Sequence, residues 1–116
     1  MLSQFKLNCP FNKRLALSTR IKQTYSDRYP VIIEKCKETD PEITHIKYIV
    51  PQYITMVALI HNFRSHMPKI QPSQAIIFYV NNKLVPITST IDTIYSLYKE
   101  NDGFLYISYT SESTFG

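Results

Sequence analysis

Two spacings of apolar residues, one near three and a half and one near two, divide this chain into segments. Over residues 11–25, FNKRLALSTRIKQTY, the positions Phe11, Leu15, Ser18, Ile21 or Lys22, and Tyr25 recur every three to four residues behind Pro10. That spacing predicts an amphipathic helix with Leu15 and Ile21 packed on the core. SQFKL before it predicts a shorter helical turn. YPVIIEK (29–35) and HIKYIV (45–50) are β-branched runs separated by a polar segment with Asp40 and Pro41, which predicts two strands in a hairpin-like pair. Thr55 is placed to cap a helix over 56–67, where Val57, Ile60, Phe63 and Met67 share one face. AIIFYV (75–80) predicts a short buried strand, and Asn81-Asn82 a turn into KLVP as a further short strand. TIDTIYSLYKE (90–100) predicts a short helix through Ile91, Ile94 and Tyr98, and GFLYISY (103–109) a closing strand.

A long crossover helix between paired strands points to one mixed sheet with the helix packed across it. After two N-terminal helices the order is that of the ubiquitin β-grasp, so the predicted class is α+β, a ubiquitin-like β-grasp with two additional N-terminal helices. The expected organisation is a helical extension over 1–25, the β-grasp core over 26–110, and a flexible tail over 111–116. The tail SESTFG has no core pattern and ends on glycine, which presents its carboxylate with no side chain around it.

Composition narrows the chemistry. The 116 residues suffice for one domain with a single modest core. The net charge is +4, but residues 1–38 hold eight basic and three acidic side chains against five and six in the remainder. The basic excess is thus an N-terminal property, suited to a face that attracts an acidic partner. Cys9 and Cys36 match no zinc or redox spacing and read as reduced thiols. His61 and His66 fall about 140° apart on a helix, which does not make a metal-binding face. No nucleophile elbow or phosphate loop is present, and no nucleic-acid recognition motif accompanies the basic residues. The reading is therefore of a non-enzyme without metal, cofactor or nucleic-acid partner. No stretch resembles a signal peptide or a spanning helix, so work on a membrane requires something to attach the protein there.

PFNKR, DRYPVIIEK, KYIVP, FYVNN, DGFLYISY and ESTFG, in this order and spacing, resemble the autophagy-related ubiquitin-like modifiers of the GABARAP type, over essentially the whole chain. The resemblance implies a cytoplasmic tag that activating and conjugating enzymes transfer from Gly116 to the amine of phosphatidylethanolamine, which carries it to autophagosomal or other organelle membranes. A deconjugating cysteine protease would meet Ile77 and Tyr79, and Phe115 is the apolar handle beside the reacting end. It also implies a groove for receptors and adaptors with acidic aromatic-x-x-aliphatic motifs, whose peptide adds a strand beside KYIV. Ile21, Pro30, Ile32, Lys47, Ile49 and Phe104 would frame the aromatic pocket. Tyr48, Val50, Pro51, Ile54 and Leu59 would frame the aliphatic one, with Asn62 standing where an apolar wall is expected. Arg28 and Lys47 would attract the acidic residues. The tail is equally compatible with attachment to a protein lysine, and the fold with a non-degradative organelle-maintenance tag.

Overall fold

Val31, Ile32 and Ile33 are consecutive and none has exposed surface. In a strand, consecutive side chains point to opposite faces, so three in a row can be buried only where both faces of a sheet are covered. The computed structural model, which describes residues 2–67 and 70–113, places them in β1 (Arg28–Lys35). The other strands are β2 (Lys47–Pro51), β3 (Gln74–Val80) and β4 (Leu105–Ser113). The helices are α1 (Gln4–Asn8), α2 (Phe11–Thr24), α3 (Met56–Ser65) and α4 (Ile91–Tyr98). The strand order is β2-β1-β4-β3, with β1 parallel to β4 and the outer pairs antiparallel. The expected α+β class and mixed sheet are observed, and this is the ubiquitin-like arrangement.

The two faces carry two cores. Val31 and Ile33 join Met56, Leu59 and Phe63 of α3, Ile91, Ile94 and Tyr95 of α4, and Ile107 and Tyr109 of β4. Ile32 faces the other way, onto Phe5 of α1 and Phe104, with Ile21 and Leu17 of α2 packed against them. Phe5 meets Phe104 edge-on at 5.2 Å between ring centroids, a favoured aromatic geometry.

Helix α2 docks differently from its apolar period. Leu15 is 40% exposed, Phe11 and Tyr25 similarly so, and the buried residue is Ser18. The Ser18 hydroxyl donates to the Asp102 carbonyl oxygen at 2.5 Å, and Arg14 Nε donates to Asp102 Oδ2 at 2.8 Å. Phe104 N–H and the Tyr106 hydroxyl complete the shell of the buried carboxylate. Polar anchoring, invisible to a hydropathy period, thus sets which side of α2 faces inward.

Other expectations shift by smaller steps. The Thr55 hydroxyl caps α3 by accepting from the Ala58 N–H, but Met56, Leu59 and Phe63 form the inward face while Val57 is 45% exposed. The Val57 N–H donates to the Ile87 carbonyl at 2.9 Å, which ties the start of α3 to the loop after β3. In α4, Tyr95 is buried with Ile91 and Ile94, and Tyr98 only packs at the margin. β3 is an edge strand with alternating burial, not a fully buried one. Asn81 and Asn82 both take positive φ, as a tight hairpin turn demands, yet KLVP forms only the isolated bridge of Val80 with Lys83.

The β1–β2 connection is not a tight hairpin but a loop held by the buried Asp40. Its carboxylate accepts from Lys37 N–H at 2.7 Å, from the Thr110 hydroxyl at 2.7 Å, and from Ser111 N–H at 3.3 Å. Those last bonds also hold the end of β4, which runs on through Ser111, Glu112 and Ser113 beside Ile76, Ala75 and Gln74. The sheet therefore takes up the first three residues of the predicted tail. Residues 114–116, with Phe115 and Gly116, lie outside the described residues.

Gly103 is the tightest point of α2 docking. Its φ is +86°, and a Cβ there would overlap the Ser18 hydroxyl. Gly103→Ala should therefore lower stability by roughly 2–4 kcal/mol from left-handed strain and overpacking together. Urea unfolding checks this, and Ser18→Ala alongside it should relieve part of the loss.

Candidate functional site

Among the described residues β2 pairs only with β1, so one of its sides has no strand beside it. The register sets Pro30 opposite Ile49 and Ile32 opposite Lys47, and the Ile33 N–H donates to the Ile46 carbonyl. Antiparallel pairs alternate between bonded and non-bonded positions, so Tyr48 and Val50 direct their backbone groups to β1. Lys47 and Ile49 direct theirs to the free edge. Pro30 occupies a non-bonded position, where its missing N–H costs nothing on the β2 side.

The side chains alternate as well. Lys47 and Ile49 share the face of Pro30 and Ile32, toward α2, whereas Tyr48 and Val50 face α3. A groove of about 600 Å³ runs along this edge, lined by Ile43, Thr44, His45, Lys47, Tyr48, Ile49, Phe63 and His66. Its base is rigid: Phe63 packs against Tyr48, Phe78 and Tyr109, with ring centroids 6.1, 5.2 and 4.9 Å away. The Tyr48 hydroxyl donates to the His45 carbonyl at 2.8 Å, and burial pushes that phenol above its ordinary pKa.

The residues expected from sequence divide into three groups. Lys47, Tyr48 and Ile49 line the groove itself. Ile21, Pro30, Ile32 and Phe104 gather on the α2 side, but Pro30, Ile32 and Phe104 are buried and Ile21 half-buried, so they form a packed floor. Val50 and Leu59 lie in the main core, Leu59 at 6% exposure, and support the groove without lining it. Ile54 is half-buried beside them, and Pro51, exposed at the end of β2, falls by alternation on the Lys47 side. Asn62 is exposed and is no pocket wall; its carbonyl accepts from the Ser65 hydroxyl at 2.7 Å and lies 2.8 Å from His66 Nδ1.

Arg28 and Lys47 do not converge. Arg28 lies across from Pro51 and Lys47 across from Ile32, at opposite ends of the pair. Four residues of strand separate them by about 13 Å. Two cations bracket the edge, one at each end. Sequence reasoning missed Ile43, Thr44, His45, Phe63 and His66 as lining residues. Phe63 carried a signal only as a core position on α3, and the others are brought in by a loop and a helix end.

Ile77 and Tyr79 belong to β3, on the far edge of the sheet from the groove. They are half-buried and alternate with buried Ile76, Phe78 and Val80. Their partners are Thr110 and Ser108, so they stand beside the strand that leads to the C-terminus. Tyr79 lines a shallow pocket with Cys36, Ser108, Thr110 and Glu112.

Residues 13–116 match the family described as "Autophagy protein Atg8 ubiquitin like". The chain belongs to the Atg8 family. It is 44% identical to Autophagy-related protein 8 of Dictyostelium discoideum, over 99% of this chain and 95% of that protein. It is 44% identical to Autophagy-related protein 8 of Pichia angusta, over 100% and 93%. The crystal structure of Trypanosoma brucei ATG8 superposes with a TM-score of 0.86 at 29% identity, with full coverage of both chains. Plasmodium falciparum Atg8, solved in complex with an Atg3 peptide from the same organism, superposes with a TM-score of 0.84 at 26% identity, over 97% and 98% of the two chains.

In this Atg8-family chain the open edge is braced at the Arg28 end by Tyr29, whose hydroxyl donates to Asp92 at 2.5 Å and whose ring stacks on Tyr95 at 4.1 Å. The hydrogen bond to Asp92, helped by burial, pushes the Tyr29 phenol up to about 12. In the unfolded chain it ionises near 10. The folded state then holds the proton more tightly, so this contribution is complete below about pH 10 and is lost as pH rises through about 12. Urea midpoints measured across that window should fall more steeply for the wild type than for Tyr29→Phe.

Proposed function

We propose that this Atg8-family chain is a ubiquitin-like modifier joined through Gly116 to phosphatidylethanolamine on autophagic membranes. In this reading the β2 edge recruits receptors and adaptors through acidic aromatic-x-x-aliphatic peptides. The observation that carries it is the unpaired β2 edge, with outward backbone groups at Lys47 and Ile49, an apolar groove on its α3 side and a cation at each end. A peptide laid there as a strand gains main-chain hydrogen bonds, and pockets on alternate sides read its side chains. The peptide-bound relative from Plasmodium falciparum supports the capacity of this fold to hold a segment of a conjugation-system partner.

Conjugation follows the chemistry of a bare carboxylate. An activating enzyme adenylates Gly116, its thiol and that of a conjugating enzyme carry the chain as a thioester, and the lipid amine displaces the thiol to leave an amide. Glycine suits narrow active sites because no Cβ meets their walls. Ile77 and Tyr79, beside the strand that leads to the tail, and Phe115 next to the reacting end are the contacts for these enzymes and for a deconjugating cysteine protease. The covalent lipid supplies the anchor, since no helix among the described residues is long and apolar enough to cross a membrane. The protein then divides its time between cytoplasm and the membranes it marks.

Two measurements test this reading. With activating and conjugating enzymes and phosphatidylethanolamine liposomes, the wild type should form a lipid adduct detectable by mass spectrometry. Gly116→Ala should be impaired, and deletion of Gly116 should abolish the adduct, with melting temperatures unchanged; an adduct formed by the deleted chain removes Gly116 from the chemistry. In titration calorimetry, Lys47→Glu should weaken an acidic-flanked peptide by about 1 kcal/mol, the scale expected for an exposed charge pair. Unchanged affinity would place the peptide elsewhere.

A further inference from the structure

We infer that His45 and His66 make peptide capture by the β2 groove proton-dependent, tightening it for carboxylate-bearing peptides as the pH falls from about 8 to about 6. The inference rests on the groove being the peptide site and adds to that reading how the site is regulated. The groove wall carries two imidazoles, one ammonium (Lys47) and the Tyr48 hydroxyl, with no carboxylate. Such a wall complements an anionic ligand, and histidine is the side chain whose charge ordinarily changes in this pH range.

The charged and polar neighbours of this wall are engaged elsewhere. Glu42, the carboxylate nearest in sequence to this wall, is paired with Lys35. Arg64 on α3 donates to the Gln71, Pro72 and Gln74 carbonyls, and so is committed to the loop before β3. The Tyr48 hydroxyl is directed to the His45 main chain and not to its ring. At His66 the hydrogen bond assigns the protons. Nδ1 lies 2.8 Å from the Asn62 carbonyl oxygen, which can only accept, so Nδ1 carries a proton and Nε2 is the atom that takes up a second. This bond also orients the ring. Both His45, from the segment entering β2, and His66, from the end of α3, line the groove. A peptide carboxylate beside either ring stabilises its imidazolium form.

The test uses the full chain with two peptides of aromatic-x-x-aliphatic pattern, one flanked by glutamates and one by glutamines. Fluorescence anisotropy at about pH 8 and about pH 6 gives affinities, and circular dichroism confirms the fold at each pH. For the glutamate peptide the wild type should gain about fivefold on acidification for each histidine that gains a carboxylate neighbour. The glutamine peptide should gain nothing. His45→Gln and His66→Gln should each reduce the ratio of the affinities at the two pH values, and the double variant should bring that ratio to one. His61→Gln, on the exposed side of α3, should behave as wild type. An equal gain for the glutamine peptide, or a gain surviving in the double variant, overturns the inference and leaves the groove as peptide site intact. Failure of the wild type to bind either peptide at either pH overturns both.

Discussion

The buried carboxylate of Asp102 is the constraint on which the relation of the N-terminal helices to the sheet depends. At 2% exposure it accepts from Arg14, the Phe104 N–H and the Tyr106 hydroxyl, while its own carbonyl takes the Ser18 hydroxyl. A carboxylate withdrawn from water is tolerated only when fully paired. The pairing in turn holds Arg14 above its ordinary pKa and, with burial, holds the Tyr106 phenol protonated. Once α2 is set in this way, Ile21 reaches the small core of Phe5, Ile32 and Phe104, and the α2 side of the β2 edge acquires its floor. α1 is drawn onto the same surface by Glu34, which accepts from the Ser3 hydroxyl at 2.6 Å and the Phe5 N–H at 3.1 Å.

The two edges of the sheet differ in length and in what borders them. An open edge is a hazard, because unpaired backbone groups invite any extended chain. β2 is short, has cations at both ends of its pairing with β1, and ends in Pro51, which has no N–H to offer. Those features restrict the edge to a few bonds and to partners of complementary charge. β3, at the other edge, runs its full length beside β4 and accompanies it past Thr110 toward the C-terminus. The open side of β2 and the β3–β4 pair thereby lie at opposite edges of the sheet.

Much of this architecture was legible from residues alone. The β-branched runs of β1 and β2, the Thr55 cap and the Asn81-Asn82 turn all act locally, through side-chain shape or hydrogen bonds within a few residues. The family resemblance supplied a list of site positions, and three of them, Lys47, Tyr48 and Ile49, line the groove at the β2 edge. Ile32, Phe104, Val50 and Leu59 did not become lining residues, because the burial that makes a position apolar in sequence is the same whether it floors a pocket or fills a core.

By itself, then, the sequence determined most of the strand and helix segments and their order, since these follow from periodicity and local conformational preference. Only the tertiary structure decided which side of α2 faces the sheet, where β4 ends, and which side chains surround the groove. Each of those outcomes is set by residues distant in the chain: Ser18 and Arg14 with Asp102, Asp40 with Thr110 and Ser111, and the pre-β2 segment and α3 end that bring His45 and His66 to one groove. No local pattern encodes such pairs, because their energy depends on burial and geometry that exist only once the sheet has formed.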